Sequence, residues 1–365
     1  MNPLFQRGTE MNSSFGNGGL DGFSIGLLKN AYLLRCAARP FGCQLFLVFY
    51  PRRVILCWKF LNMKQENTLN SEHPIFGLGQ CSLDYVGTIS VYPQPDAKCE
   101  FSNLHIEGGG PVATALVALS RWGMPCYFAG IVGDDAFGTI IMESLHKDGI
   151  NTDGVITRTG HCSQFAFIAA EPAMSRRTIF WRRPTGLPLQ IDELDLERLR
   201  TSRMFYTDGL FTEASVFACD KARESGIPII VDAGTMRDGM LDIAGMSDCF
   251  IASETFSKAV AQEPDETCYK LFDLGCRFVG VTLGSKGYVA LVDGRLIKKP
   301  TYPADVIDTT GCGDVFHAGV AYGLLHGWGA EKCLDLGAWA AASVSARMGG
   351  REGIPSYREV KQMTG

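Results

Sequence analysis

No stretch of this 365-residue chain is apolar for long enough to cross a bilayer as a helix. Phe41 to Tyr50 is closed by Pro51-Arg52-Arg53, and Val54 to Leu61 carries Lys59. No small-residue cleavage site follows in the order a secretory signal needs. Positive charge is short as well. Against 39 acidic residues stand 34 Lys and Arg, a formal net charge of −5. That leaves no basic field for nucleic acid or an anionic membrane surface and favours small-molecule chemistry. The 13 cysteines are scattered, with no C-x-x-C pair and no His partner at zinc spacing, so neither a disulfide framework nor a zinc module is expected. Reduced thiols in a cytoplasmic protein are the default. Repeats, coiled-coil heptads and low-complexity linkers are absent too, which leaves no sign of an array of modules.

What is present is a hydrophobic content of 46%, enough for a substantial core in one large α/β domain or two smaller ones. From about residue 75 onward, short apolar or β-branched runs alternate with amphipathic stretches, the pattern of a parallel sheet covered by helices on both faces. The spacing predicts strands at Ile75 to Gly79, Tyr127 to Val132, Met204 to Thr207, Ile229 to Asp232, Cys249 to Ala252 and Phe278 to Leu283. Predicted helices include Pro111 to Trp122, Asp135 to Lys147, Glu213 to Ser225, Asp314 to His326 and Glu331 to Met348. Thr88 to Pro93, Gln164 to Ala170 and Arg177 to Arg182 read as exposed strands, with Glu171-Pro172 as a turn between the last two. Residues 1–72 do not match this pattern and read as a disordered or non-native extension, residues 1–30 being rich in Gly, Asn and Ser. Met63 is the expected natural start.

Asp308-Thr309-Thr310-Gly311-Cys312-Gly313-Asp314 runs straight into the apolar Val315-Phe316-His317-Ala318-Gly319-Val320. A loop with two glycines opening into a helix aims successive N–H groups at one spot, where the helix N-terminus already favours negative charge. Asp314, in the first helical turn, can reach that spot and take a proton from a hydroxyl about to attack phosphorus. An anion hole made by Gly311, Cys312 and Gly313 beside a base is the minimum equipment for phosphoryl transfer. An N-capping loop is the bland alternative, but the five fixed residues should recur by chance in only about one chain in a thousand.

The motif DTTGCGD closely resembles the DTxGAGD signature of the ribokinase-like (PfkB) carbohydrate kinases. Gly108-Gly109-Gly110-Pro111-Val112-Ala113-Thr114-Ala115 is similar to that family's Gly-Gly signature. Val132-Gly133-Asp134-Asp135-Ala136-Phe137-Gly138 is similar to its G-D-D-x-x-G turn, and Gly284-Ser285-Lys286-Gly287 to its nucleotide-side G-x-x-G. The four occur in the family's order. The resemblance implies a three-layer α/β/α sandwich over residues 73–365, with a small β-sheet lid at about 84–105 and 160–184 that also serves as a homodimer contact. It implies ATP and Mg²⁺, admits a monovalent cation, and makes the acceptor a hydroxyl of a sugar or sugar derivative. Asp84, Gly109, Gly110 and Thr114 would hold the acceptor. Thr282, Gly284, Lys286 and Gly287 would hold the nucleotide.

Three departures bear on function. Ala is usual where Cys312 stands; both are small, and a reactive thiol is the less favoured reading. An N-x-x-E motif commonly follows the strand ending here in Ile251-Ala252, yet the chain reads Ser253-Glu254-Thr255-Phe256, leaving Glu254, acting through water, as the metal candidate. Thr114 replaces a frequent Asn, giving one hydroxyl for two donors and an acceptor, which argues against ribose. Arg176, Arg177, Arg182 and Arg183 cluster in the expected lid, and guanidinium forks suit an acidic or phosphorylated acceptor. Nucleoside kinase, or a catalytically silent sugar or nucleotide sensor, are the alternatives on the same fold.

Overall fold

The computed structural model describes residues 72–174 and 176–365, together with the backbone of four strands before them. The chain divides into two compact units, Met1–Thr68 and Leu69–Gly365. In the first, β1 (Phe23–Leu28), β2 (Ala31–Ala37), β3 (Gln44–Tyr50) and β4 (Arg53–Cys57) pair as an antiparallel meander. β1 is at odds with the expectation of disorder across residues 1–30: within that Gly- and Asn-rich stretch the local run FSIGLL is apolar enough to make a strand. Met63 lies outside the described residues.

The second unit begins with β5 (Ile75–Leu78), β6 (Ser82–Thr88), β7 (Ser102–Gly109), α1 (Pro111–Arg121), β8 (Cys126–Gly133), α2 (Ala136–Lys147) and β9 (Asn151–Arg158). There follow β10 (Phe165–Glu171), β11 (Arg176–Arg182), α3 (Leu196–Arg200), β12 (Met204–Thr207), α4 (Thr212–Glu224), β13 (Ile229–Ala233), α5 (Met240–Met246) and β14 (Cys249–Ser253). The chain then forms α6 (Glu254–Val260), α7 (Pro264–Asp273), β15 (Phe278–Thr282), β16 (Tyr288–Val292), β17 (Arg295–Lys299), α8 (Cys312–Leu325), α9 (Ala330–Ser345) and α10 (Tyr357–Thr364).

Nine strands form the central sheet in the order β17-β16-β15-β14-β13-β12-β5-β8-β9. Neighbours from β15 to β9 are parallel, and β16 and β17 close one edge antiparallel. Alternate side chains of each strand go to opposite faces, and the sequence fills both with apolar groups. Ile75, Phe128, Tyr206, Ile230 and Ile251 pack with α1, α8 and α9. Their chain neighbours Phe76, Ala129, Phe205, Val231 and Phe250 pack with α4, α5, α6 and α7. A fully covered parallel sheet needs this two-sided hydrophobicity, and three layers result. Pro111 sits at the first turn of α1, where its missing N–H costs nothing. At the other end of that helix Trp122 is buried, its indole donating to Pro355 O at 2.8 Å; truncation to Ala there should cost about 3–5 kcal/mol.

A second, four-stranded sheet, β11-β10-β6-β7, forms the lid. Its strands differ from expectation in one place. Instead of an exposed strand at Thr88 to Pro93, β6 runs Ser82–Thr88 and ends there, because Pro93 and Pro95 cannot donate to a ladder. β10 and β11 lie where expected, in register from Phe165↔Arg182 to Glu171↔Arg176. Among the described residues no helix is long and apolar enough to cross a membrane.

Candidate active site

The crevice lies beyond the carboxyl ends of the parallel strands, where an open α/β sheet leaves room. Gly311 caps α8 with φ +73°, a left-handed backbone that glycine adopts without strain. A Cβ there would lie 2.5 Å from Gly350 Cα. Asp308, the first residue of the motif, is buried and holds the loop: its Oδ1 accepts from Thr310 N at 3.0 Å and Thr310 Oγ1 at 2.8 Å, and its Oδ2 from Gly349 N at 3.0 Å. Gly311, Cys312, Gly313 and Asp314 therefore form one fixed helical opening. Burial, with the Asp232 charge adding to it and His317 and Arg177 opposing, pushes the Asp314 carboxyl up to about 7. Burial also pushes the Cys312 thiol up to about 12, so it stays protonated and the reactive-thiol reading falls.

Asp84 is not in a loop after the first strand but on lid strand β6, opposite Glu107 of β7. Its Oδ1 accepts from Ser82 Oγ at 2.6 Å. Burial raises its carboxyl above the usual range, while Ser82, Arg351 and Arg177 work against that rise. A Cβ on Gly109 would lie 2.0 Å from Asp84 Oδ2, so that glycine clears the space the carboxylate occupies. Gly110, with φ +94°, would bring a Cβ within 2.6 Å of Gln80 O. Thr114 is buried in α1, and its hydroxyl accepts from Arg351 Nε at 3.4 Å. It thus meets the site through that guanidinium, which also donates to Gly109 O at 3.3 Å and Ser144 Oγ at 3.1 Å.

Asp84 and Asp314 are far apart in sequence, yet the Asp84 charge helps raise the Asp314 carboxyl, and Arg177 works against the rise at both. Arg177 on β11 donates to Thr309 Oγ1 of the motif. Arg176 is spent on Glu171 at 2.7 Å, and Arg183 lies over the Trp181 ring at 4.8 Å. Of these three, Arg177 is the one that reaches the Asp308–Asp314 motif.

The remaining expected residues form a second group at the ends of β14 and β15. Ser253 and Thr282 are paired across those strands. Thr282 Oγ1 donates to Ala252 O at 3.4 Å, and Gly284–Lys286 form a single 3₁₀ turn closed at Gly287. Lys286 lies 3.7 Å from Glu254. Beside them is a cleft of about 290 Å³ lined by Glu254, Lys258, Gln262, Leu283 and Lys286 among others. Ser253, standing where the Asn of the motif would be, caps α6 by accepting from Phe256 N at 3.0 Å. Lys258, 3.1 Å away, and Lys286 hold the Glu254 carboxyl below the usual range. Among the described residues no group of three or more metal-binding side chains exists. One ionised, half-exposed carboxylate fits an Mg²⁺ carried mainly by nucleotide phosphates and water, and does not make a protein cage.

Sequence reasoning missed four groups at this site, three of them buried. Arg351 follows the glycines after α9, and Glu107 on β7 accepts from Gly350 N and Arg351 N. His317 lies one turn beyond Gly313, and Asp232 ends β13. The i, i+4 spacing of Gly313 and His317 was the one available signal; the others are joined only by topology.

The family model described as pfkB family carbohydrate kinase matches residues 75–356. A 5-dehydro-2-deoxygluconokinase of Geobacillus thermodenitrificans is 27% identical over 281 residues, 70% of this chain and 83% of that protein. Probable fructokinase-3 of Arabidopsis thaliana is 28% identical over 262 residues, 66% and 75% of the two chains. Among solved structures, a putative ribokinase from Agrobacterium tumefaciens superposes with a TM-score of 0.73 at 22% identity, covering 80% of this chain and 97% of that one. Arabidopsis ribokinase complexed with ribose and ATP gives 0.64 at 22% identity over 80% of this chain and 98% of that one. These structural likenesses establish the ribokinase fold.

Proposed function

The chain belongs to the pfkB family of carbohydrate kinases, and we propose that it transfers the γ-phosphoryl group of ATP in line to a hydroxyl of a sugar or sugar derivative, with Asp314 as general base. The observation that carries this reading is Asp314 itself: it opens α8, within Coulombic reach of Asp84, with a carboxyl at about 7. A base poised near working pH is best matched to its task. Asp84, a pure acceptor when ionised, orients acceptor hydroxyls. The N–H groups of Gly311, Cys312 and Gly313 face the charge on the transferred group. Thr282 and the Gly284–Gly287 turn, with Lys286, hold the nucleotide. Mg²⁺, when bound, neutralises the β and γ oxygens, with Glu254 reaching it through water. Asp314→Asn should keep acceptor binding and lose about 10²–10⁴ in kcat; near-normal turnover would refute the base assignment.

Arg177 favours an acidic acceptor, since its guanidinium lies near both carboxylates that frame the acceptor. The Geobacillus relative is named for a gluconic acid derivative. Thermal-shift screening against neutral sugars, sugar acids, sugar phosphates and purine nucleosides, with ATP and Mg²⁺ present, separates sugar kinase from nucleoside kinase. ATP consumption with any of them excludes a silent sensor. The outer lid face, with Leu104, Ile106 and Phe180 exposed, is the surface on which we place a homodimer contact. The free cysteines among the described residues support a reducing, cytoplasmic setting.

A further inference from the structure

Behind the opening turn of α8 lies a buried polar cluster that phosphoryl transfer as described does not use. His317 is 3% exposed. Its Nδ1 is 2.6 Å from Gly313 O and its Nε2 3.0 Å from Ile251 O. A neutral imidazole has one donor nitrogen and one acceptor nitrogen, whereas carbonyl oxygens only accept. Both ring nitrogens facing carbonyls therefore requires a proton on each. The partner for that charge is Asp232: its Oδ2 lies 3.4 Å from Nδ1 and accepts from Tyr206 Oη at 3.4 Å, and burial raises its carboxyl while His317, Tyr206 and Arg237 work against that rise.

We propose that His317 is held as an imidazolium by Asp232, Gly313 O and Ile251 O, and that it is the positioning residue that keeps Asp314 ionised and its turn in place. The positional part follows from Gly313 O, which belongs to the same peptide as the Asp314 N–H; pinning that carbonyl fixes the peptide that joins the anion-hole residue Gly313 to the base. Ile251 O ties the turn to β14. The electrostatic part is a balance of opposite charges in a water-poor site, where each counts for more than in solvent. Asp232 works against ionisation of Asp314, and His317 works for it. The other charged or titratable groups facing the cluster are Arg177 from β11, Asp84 from β6, Tyr206 from β12, Asp208 just after it, and Arg237 after β13. Only His317 is a buried cation in direct contact with both the turn and Asp232.

The inference rests on Asp314 being the base, and the test separates the two. The pH dependence of kcat/KM, which reports the free enzyme, is measured for wild type and His317→Gln. Gln keeps a donor for one carbonyl but brings no charge. Its acid limb should rise by about one pH unit, giving roughly an 8-fold loss at pH 6.5 that narrows as pH increases. Asp232→Asn removes one of the three groups that hold the proton, so by ¹⁵N NMR its His317 ring should lose a proton at lower pH than the wild-type ring does. A loss in His317→Gln that is uniform with pH, or an unchanged His317 ring in Asp232→Asn, would overturn the proposal while leaving Asp314 as base. If Asp314→Asn retained turnover, the base assignment itself would fall first. A readout that needs no variant is ¹⁵N NMR of the wild-type ring: both His317 nitrogens protonated at pH 7.5 support the imidazolium, and one bare nitrogen refutes it.

Discussion

A single methyl group added at Gly311 should disable catalysis through geometry alone. The backbone there is left-handed, at φ +73°, which costs a residue with a Cβ about 1–2 kcal/mol. The new Cβ would also lie 2.5 Å from Gly350 Cα and 2.6 Å from Gly350 O. Both are main-chain atoms, so the overlap cannot be relieved by rotating a side chain, and overpacking of this kind costs about 1–3 kcal/mol. The sum, about 2–5 kcal/mol, should lower Tm by roughly 4–10 °C in a domain of this size. Relief by sliding α8 away from Gly350 would displace the anion hole and Asp314 together, and a misplacement near 1 Å costs about 10²-fold in rate. Gly313→Ala is the control. Its Cβ would meet nothing within 4 Å, so Tm should hold or rise by about 1–2 °C. Turnover should nevertheless fall, because that open space is where the transferred group would sit. Scanning fluorimetry and a coupled ADP-release assay read the two effects separately. Gly311→Ala with normal Tm and kcat would refute the steric argument, and Gly313→Ala with unchanged kinetics would refute the placement of the phosphoryl group.

Three further outcomes are expected. Burial disfavours the Asp135 charge, but bonds from Ser163 Oγ at 2.6 Å, Gly138 N at 2.8 Å and Ser163 N at 2.9 Å outweigh it and lower its carboxyl range. Asp135→Ala should therefore cost about 2–3 kcal/mol in urea unfolding at pH 7. Because the shift is downward, that stabilisation is present above the ordinary carboxylate range and fades as pH falls through the folded value; the gap between wild type and variant should close in acid, and a gap constant with pH would refute this. Wild-type kcat/KM should be half-maximal on its acid side near pH 7, from the Asp314 carboxyl at about 7, and a limb near pH 4 would contradict it. Phe180→Glu with Ile106→Glu, at positions 56% and 49% exposed, should give monomers by light scattering where wild type gives dimers; a monomeric wild type would refute the lid contact.

Six of the nine central strands were legible because each carries its own apolar run, and Met204–Thr207 needed no revision. β7 and β9 were not: SNLHIEGG and NTDGVITR are polar runs made into strands by ladder partners elsewhere in the chain. The helical opening at Gly311 to Asp314 was legible because its residues are contiguous. Arg351, Glu107, Asp232 and His317 were not, because their role exists only after strands distant in sequence are laid side by side. Asp84 falls inside the expected lid, on a strand that begins at Ser82, with only three residues between it and the end of β5.

The short path between Gly349-Gly350-Arg351 and lid strand β7 sets an order on biosynthesis. Glu107 accepts from Gly350 N and Arg351 N, and Arg351 in turn holds Gly109 O, across sequence separations of 242 to 244 residues. A nascent chain can lay down β5, β8 and their helices early, as local and neighbouring contacts permit. The contacts that join Glu107 and Gly109 to residues 350–351 are completed only when that segment arrives. Chains stopped before Gly349 should thus hold much of the sheet yet fail to retain an acceptor, which makes acceptor binding a report on whether synthesis has passed Arg351.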